Sequence, residues 1–135
     1  MATIMVTTDF SKRARPALNH ALKMASQLKK CKIVVVYVIE HRMANPLYAH
    51  YEMPEISPAD AMVQLKKWLG AAASKVTPKV VKTQNVAKGI IKTATDLKAD
   101  YIVMGTHGHG AWGSLFIGSI TQKVTAQSKI PVIVV

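Results

Sequence analysis

From Met104 to Thr121 the chain reads MGTHGHGAWGSLFIGSIT, with five glycines and a histidine on each side of Gly108. Glycines let backbone N–H groups converge on an anion, and a helix that starts at such a loop adds unpaired donors and the positive end of its dipole. The chemistry these residues suit is the holding of phosphate. A second group closes the first apolar run: Thr7, Thr8, Asp9, Phe10, Ser11. Two hydroxyls and a carboxylate at the mouth of a strand are suited to accept hydrogen bonds from hydroxyl or amine groups. His107 and His109 are two residues apart on a loop with no carboxylate or cysteine beside them, which makes a weak metal site. A loop hydrogen bond or a proton-dependent contact to phosphate suits them better.

Three phosphate-loop spacings overlap in this stretch. Gly108-x-Gly110-x-x-Gly113 has the dinucleotide spacing, but no acidic residue follows Asp100, so the carboxylate that would hold a ribose is missing. Gly113-x-x-x-x-Gly118 has P-loop spacing, but Ser119-Ile120 stand where Lys and Ser/Thr are required, and the phosphate-reaching lysine is absent. The third spacing, Gly105-x-x-Gly108, nine residues, then Gly118-Ser119, is complete. Trp112 and Phe116 follow the phosphate turn, which suits packing anchors better than stacking platforms.

These groups need a scaffold that brings residue 9 to residue 118. Thr3–Thr8 is a β-branched strand, followed by an amphipathic helix over Lys12–Lys30 capped by Asp9 or Ser11, with Pro16 near its start. Ile33–Ile39 (IVVVYVI) has the nearly continuous apolar character of a strand buried on both faces. Glu40–Pro58 is irregular, with three prolines. Ser57-Pro58-Ala59-Asp60 opens a helix whose apolar residues continue over Ala61–Lys75. Val76–Thr83 is a strand carrying Pro78 and so belongs at an edge. Val86–Lys98 is helical, Tyr101–Met104 a strand, Ser119–Ser128 a helix and Pro131–Val135 a closing strand. Strands alternating with helices predict a parallel sheet covered on both faces, with ligands at the carboxyl ends of strands where the winding reverses.

With the TTDFS opening (Thr7–Ser11), Val38-Ile39-Glu40 and the closing PVIVV, the complete glycine spacing makes the whole chain resemble the universal stress protein family. The resemblance implies a Rossmann-like α/β fold: a five-stranded parallel doubly wound sheet, order 3-2-1-4-5, that binds an adenine nucleotide. ATP is the ligand of the branch with this motif, with ADP and AMP as alternatives and Mg²⁺ or Mn²⁺ held mainly by the phosphates. Carried onto this chain, the resemblance puts Thr7, Thr8 and Asp9 at the nucleoside, Val38 against adenine, and Met104 and Gly105 at the ribose-side wall. Gly108, Gly118, Ser119, Ile120 and Thr121 form the phosphate cradle, with His107 and His109 in the loop. It also implies a homodimer formed through Pro131–Val135. One departure stands out: family members commonly carry a basic residue, often arginine, where this chain has His109. Histidine titrates near pH 6.5, so the loop supplies less positive charge at neutral pH.

Bulk properties narrow the function further. A chain of 135 residues, half of them apolar, is expected to form one globular domain over 1–135. The longest apolar runs are too short to span a bilayer, Met1-Ala2-Thr3 leads straight into a strand without secretory features, and the single Cys31 forms no internal disulfide. No membrane partner and a cytoplasmic location are therefore expected. Lys and Arg number 18 against 7 Asp and Glu, a net charge of +11, but no run of five or more basic residues forms a tail. That scatter favours solvated faces biased toward phosphate ligands over a dedicated nucleic-acid module. The leading function is thus a nucleotide-binding stress-response or regulatory protein. Two alternatives are an enzyme (slow ATP hydrolysis, or adenylyl or phosphoryl transfer) and a basic binding module. No lysine beside the loop and no carboxylate paired with Asp9 supports dedicated catalysis. No catalytic residue and no protein metal ligand is assigned.

Overall fold

A computed structural model describes residues 1–41, 47, 55–106 and 118–135. Five strands, β1 (Ala2–Thr8), β2 (Cys31–Glu40), β3 (Thr77–Thr83), β4 (Tyr101–Met104) and β5 (Val132–Val134), form one sheet of order β3-β2-β1-β4-β5. Every pairing is parallel, as the alternation of strands and helices requires. The chain winds outward from β1 through β2 to β3, then crosses back to place β4 on the other side of β1. Winding reverses between β1 and β4, so a crevice opens at their carboxyl ends.

Four helices cover the sheet: α1 (Arg15–Gln27), α2 (Pro58–Leu69), α3 (Val86–Asp96) and α4 (Ser119–Gln127). Side chains alternate across the strands and build two cores. On one face Ile4, Val6, Ile33, Val35 and Val103 pack with Ala17, Leu18 and Ala21 of α1 and Leu65 and Leu69 of α2. On the other, Met5, Val34, Val36, Ile102 and Met104 pack with Ala87, Ile90 and Ala94 of α3 and Val124 of α4. The central strands β1, β2 and β4 are buried on both faces, which is why their sequences are nearly unbroken apolar runs. Pro78 lies on the edge strand β3, as its missing N–H demands.

Several boundaries differ from those the sequence suggests. The first helix begins as a short 3-10 turn, Lys12–Ala14, before α1, and ends at Gln27 rather than Lys30. Glu40 belongs to β2, not to the irregular segment, most of which lies outside the described residues. The helical run over Ala61–Lys75 is not one helix. Gly70, at φ 56°, stops α2, and a 3-10 helix over Gly70–Lys75 carries the chain to β3. With ψ at −127° as well, Gly70 lies outside the left-handed region that other residues can enter, a conformation suited to glycine. The third helix ends at Asp96, with Lys98 at φ 54° just beyond it.

Near the carboxyl edge Glu55 joins the approach to α2 onto β3. It lies 2.8 Å from His41 Nδ1 and 3.2 Å from Lys82 Nζ. Its hydrogen bond from Lys82 is the main cause holding its carboxyl below the usual range. Gly89 lets α3 sit close to β3. A Cβ there would meet Thr83 Cγ2 at 2.6 Å and Thr83 Cβ at 2.9 Å, and Thr83 is tied through Oγ1 to Asn85. Overpacking of this kind costs about 1–3 kcal/mol, set against roughly 1 kcal/mol of improved helix propensity. Gly89→Ala is therefore expected to destabilise the fold, read as a lower urea midpoint. An unchanged or higher midpoint would mean that Thr83 moves aside freely.

Candidate functional site

Apolar burial carries β1 as far as Thr8, where the chain leaves the sheet in a tight hydroxyl- and carboxylate-braced turn. Thr8 Oγ1 accepts from the Phe10 N–H at 3.0 Å, and Asp9 Oδ1 accepts from the Ser11 N–H at 2.9 Å. Phe10 takes φ 67°, a left-handed conformation that costs a non-glycine residue about 1–2 kcal/mol. Tertiary packing holds it there, because the Phe10 ring stacks on Tyr37 of β2 with centroids 4.1 Å apart. Trp68 of α2 donates from Nε1 to Ser11 O at 3.2 Å, and the Arg15 guanidinium lies 4.8 Å from the centre of the Trp68 ring. The turn that carries Asp9 is thus gripped from β2, α1 and α2.

Electrostatics in this corner follow from that packing. Burial, and then the negative charge of Asp9, push the Tyr37 phenol above its ordinary pKa. Asp9 Oδ2 is shielded from solvent. Ser11 occupies the cap position of the 3-10 turn but makes no side-chain capping bond, so Asp9 and not Ser11 satisfies the local N–H. Ser11 Oγ is buried with no hydrogen-bond partner among the described residues, a polar atom left available to a ligand or water.

Across the crevice, α4 is docked directly onto the end of β4. The Gly118 N–H donates to Thr106 O at 2.6 Å, and Thr121 Oγ1 donates to Gly105 O at 3.0 Å. The strand end itself is fixed by Val135, whose N–H donates to Met104 O at 2.9 Å while its carbonyl accepts from the Thr106 N–H at 3.1 Å. These bonds bring Gly118-Ser119 back to Gly105-Thr106. Among the described residues no side chain caps the start of α4, where the first-turn N–H groups have no intrahelical partner.

Most of the sequence-assigned residues lie among the described ones. Thr7 and Thr8 stand opposite Val36 and Tyr37 in the β1–β2 register, and Val38 comes one position later on β2, half-buried against the core that α3 covers. Met104 is buried at the end of β4, one position beyond the Val6–Val103 pairing, which brings it level with Thr7. Ser119 and Ile120 are exposed in the first turn of α4. Gly118 and Thr121 belong to the docking itself, since the N–H of one and the hydroxyl of the other are engaged with β4. His107, Gly108 and His109 lie outside the described residues, as do Trp112 and Phe116. Among the described residues no group of three or more His, Cys, Asp or Glu is placed to hold a metal.

Sequence reasoning missed the aromatic grip on the Asp9 turn. The available signals were a lone tyrosine in the otherwise aliphatic β2 run and a phenylalanine directly after the carboxylate. Neither says by itself that the two rings meet.

With β1, β4 and α4 arranged in this way, the relatives of the chain can be compared. The model of the universal stress protein family matches residues 1–135. The chain belongs to the universal stress protein family. A universal stress protein of Methanocaldococcus jannaschii is 29% identical over 153 aligned positions, covering 98% of this chain and 93% of the relative. Among solved structures, a universal stress protein in complex with cAMP superposes with a TM-score of 0.71 at 19% identity, over 99% of this chain and 96% of that one. A universal stress protein from Archaeoglobus fulgidus in complex with dAMP gives 0.68 at 19% identity, over 99% and 97%. At these identities the likeness establishes the universal stress protein fold, including the β3-β2-β1-β4-β5 order. Among the described residues no helix is long and apolar enough to cross a membrane.

Proposed function

We propose that this universal stress protein binds an adenine nucleotide, ATP in the first instance, in the crevice between the carboxyl ends of β1 and β4, and works as a nucleotide-responsive regulator. The observation that carries this reading is the docking of α4 onto β4. It joins the two halves of the split glycine motif, Gly105 and Gly118-Ser119, into one surface. The residues fit such a ligand. Asp9 offers a carboxylate to the ribose or base, with Thr7, Thr8 and Val38 along the same edge. Met104 and Gly105 form the wall, and the free N–H groups of Ser119 and Ile120 face the phosphates with the dipole of α4 behind them. Gly118 contributes by lacking a side chain and Thr121 by bracing the wall. Gly108, His107 and His109, which the sequence assigns to the same cradle, lie outside the described residues. Mg²⁺ or Mn²⁺ neutralises phosphate charge and is held mainly by the nucleotide. The two relatives named above are in complex with cAMP and with dAMP, which agrees with this ligand class.

The reading extends to a single domain over 1–135, a cytoplasmic location and a homodimer. β5 is an edge strand whose outer backbone groups lack a partner strand among the described residues, so a second copy would extend the sheet. Light scattering at micromolar concentration is expected to give the mass of two chains, and the mass of one would remove the dimer. For the nucleotide, calorimetric titration of ATP into the wild type and a Gly118→Ala/Ser119→Ala variant is the test. A methyl group added at Gly118 and a hydroxyl lost at Ser119, both at the start of α4, are expected to weaken binding by at least tenfold. Equal affinities would sink the assignment.

A further inference from the structure

We propose that the amino edge of the sheet, opposite the crevice, is a docking surface for the phosphodiester backbone of a nucleic-acid duplex. The inference is independent of the nucleotide reading and places five of the 18 Lys and Arg on one edge. In a parallel sheet, connections returning from helices to strands all emerge on the amino edge. Here they carry Lys29 and Lys30 before β2, Lys98 before β4 and Lys129 before β5, with Lys32 at the start of β2; all five are exposed. The linear sequence scatters these residues over a hundred positions.

Hydrogen bonds show that the three connections are neighbours. The Ala2 N–H donates to Lys30 O at 3.0 Å, the Asp100 N–H to Thr3 O at 2.8 Å, and the Ile102 N–H to Pro131 O at 2.9 Å. The lysines therefore run in order across β2, β1, β4 and β5. Three interstrand steps of about 4.8 Å give a row of about 14 Å. Laid along a duplex axis, where one strand rises about 3.4 Å per phosphate, the row spans the rise of about four phosphates.

Charge balance on this edge is one-sided. Of the two acids nearby, Asp100 turns Oδ2 to the Thr3 N–H at 2.8 Å, and Asp96 pairs with Lys92 at 2.7 Å. None of the five lysines takes part in an ion pair among the described residues. The supports are ordered. Ser128 Oγ donates to Ile130 O at 2.7 Å and accepts from the Ile130 N–H at 3.0 Å, which pins the turn carrying Lys129. Lys98 stands at φ 54°, held by its N–H to Thr95 O at 3.0 Å and by the Ala99 N–H to Ala94 O at 2.9 Å.

A duplex fits this row better than other polyanions do. Single strands are held by stacking on exposed aromatic rings, and the aromatic side chain at this edge, Tyr101, is half-buried against the core. A bilayer needs a continuous apolar face, whereas among the described residues the exposed large apolar side chains at this edge are Met1 and Leu28. Lysines without an accompanying base-reading side chain predict binding that ignores sequence.

Fluorescence anisotropy of the full chain with a random-sequence DNA duplex, over a series of salt concentrations, tests the proposal. Four to five phosphate contacts predict a log K against log salt slope of about −4. Lys30→Gln/Lys98→Asn/Lys129→Gln removes three of the contacts, with asparagine chosen because it tolerates the left-handed backbone at position 98. Its slope is expected to fall to about −1 to −2, with at least tenfold weaker binding at low salt and an unchanged urea midpoint. Lys12→Gln/Lys79→Gln/Lys88→Gln removes the same charge elsewhere and is expected to keep most of the affinity. Equal losses in the two variants would reduce the effect to net charge and overturn the proposal. So would tighter capture by vesicles containing anionic phosphatidylglycerol than by the duplex, which would make the edge a membrane contact.

Discussion

Asp9→Asn is expected to weaken adenine-nucleotide binding by about 10- to 150-fold while leaving the fold nearly as stable as the wild type. The two effects separate because the carboxylate has two jobs. Oδ1 accepts the Ser11 N–H, and an asparagine amide oxygen can keep that bond. The charge offered to a nucleoside hydroxyl or amine is what disappears, and a hydrogen bond to a charged group contributes about 1.5–3 kcal/mol. Asp9→Ala removes both and is expected to lose stability as well. Tyr37 supplies an independent readout. Asp9 is the second cause, after burial, of its raised pKa, so its ring should ionise at lower pH in the asparagine variant. Spectrophotometric tyrosine titration measures this without nucleotide. Calorimetry giving the same ATP affinity for wild type and Asp9→Asn would remove Asp9 from the site, and an altered Tyr37 titration alone would confirm only its place beside the ring.

Leu65→Ala carries the largest expected loss of stability, about 2–5 kcal/mol, the range for deleting a fully buried leucine with partial collapse of the cavity. Leu65 is 0% exposed and belongs to the core formed by β1, β2, β4, α1 and α2. Against a total of about 5–15 kcal/mol for a typical domain this is a large fraction. The change reaches the site too. Trp68, one turn later on α2, donates to Ser11 O and braces the turn that presents Asp9. A loosened α2 should therefore lower nucleotide affinity although Leu65 is not one of the residues proposed to contact the nucleotide. Leu65→Met, which nearly conserves volume, is expected to cost less than about 1.5 kcal/mol and to restore affinity. Urea unfolding gives the measurement; a loss below about 1 kcal/mol for the alanine variant would mean that the cavity closes on itself.

How far the site was legible depended on distance along the chain. Gly105, Gly118 and Ser119 carry a spacing that can be counted, and Asp9 follows an apolar strand as a visible change of chemistry. Phe10 could not be assigned a left-handed backbone from its type, because that conformation is set by a ring on another strand. Likewise the Gly118 N–H and the Thr121 hydroxyl engage Thr106 O and Gly105 O, partners that residue type alone does not name. A donor's partner is a property of the fold. Gly70 is a local signal of the opposite kind: a glycine inside an apolar periodicity, it ends α2.

By itself the sequence determined the order of strands and helices, the parallel sheet, the edge position of the Pro78 strand and the presence of a split phosphate motif. These follow from periods of two and 3.6 residues and from turn chemistry, which act over a few neighbours. Only the tertiary structure decided that α4 folds back onto β4 to join the two motif halves, that Tyr37 and Trp68 hold the Asp9 turn, and that dispersed lysines line up along the amino edge. Each of these depends on contacts between residues far apart in the chain. Such contacts form where the packing of two cores brings the elements together, and no local pattern of residues encodes them.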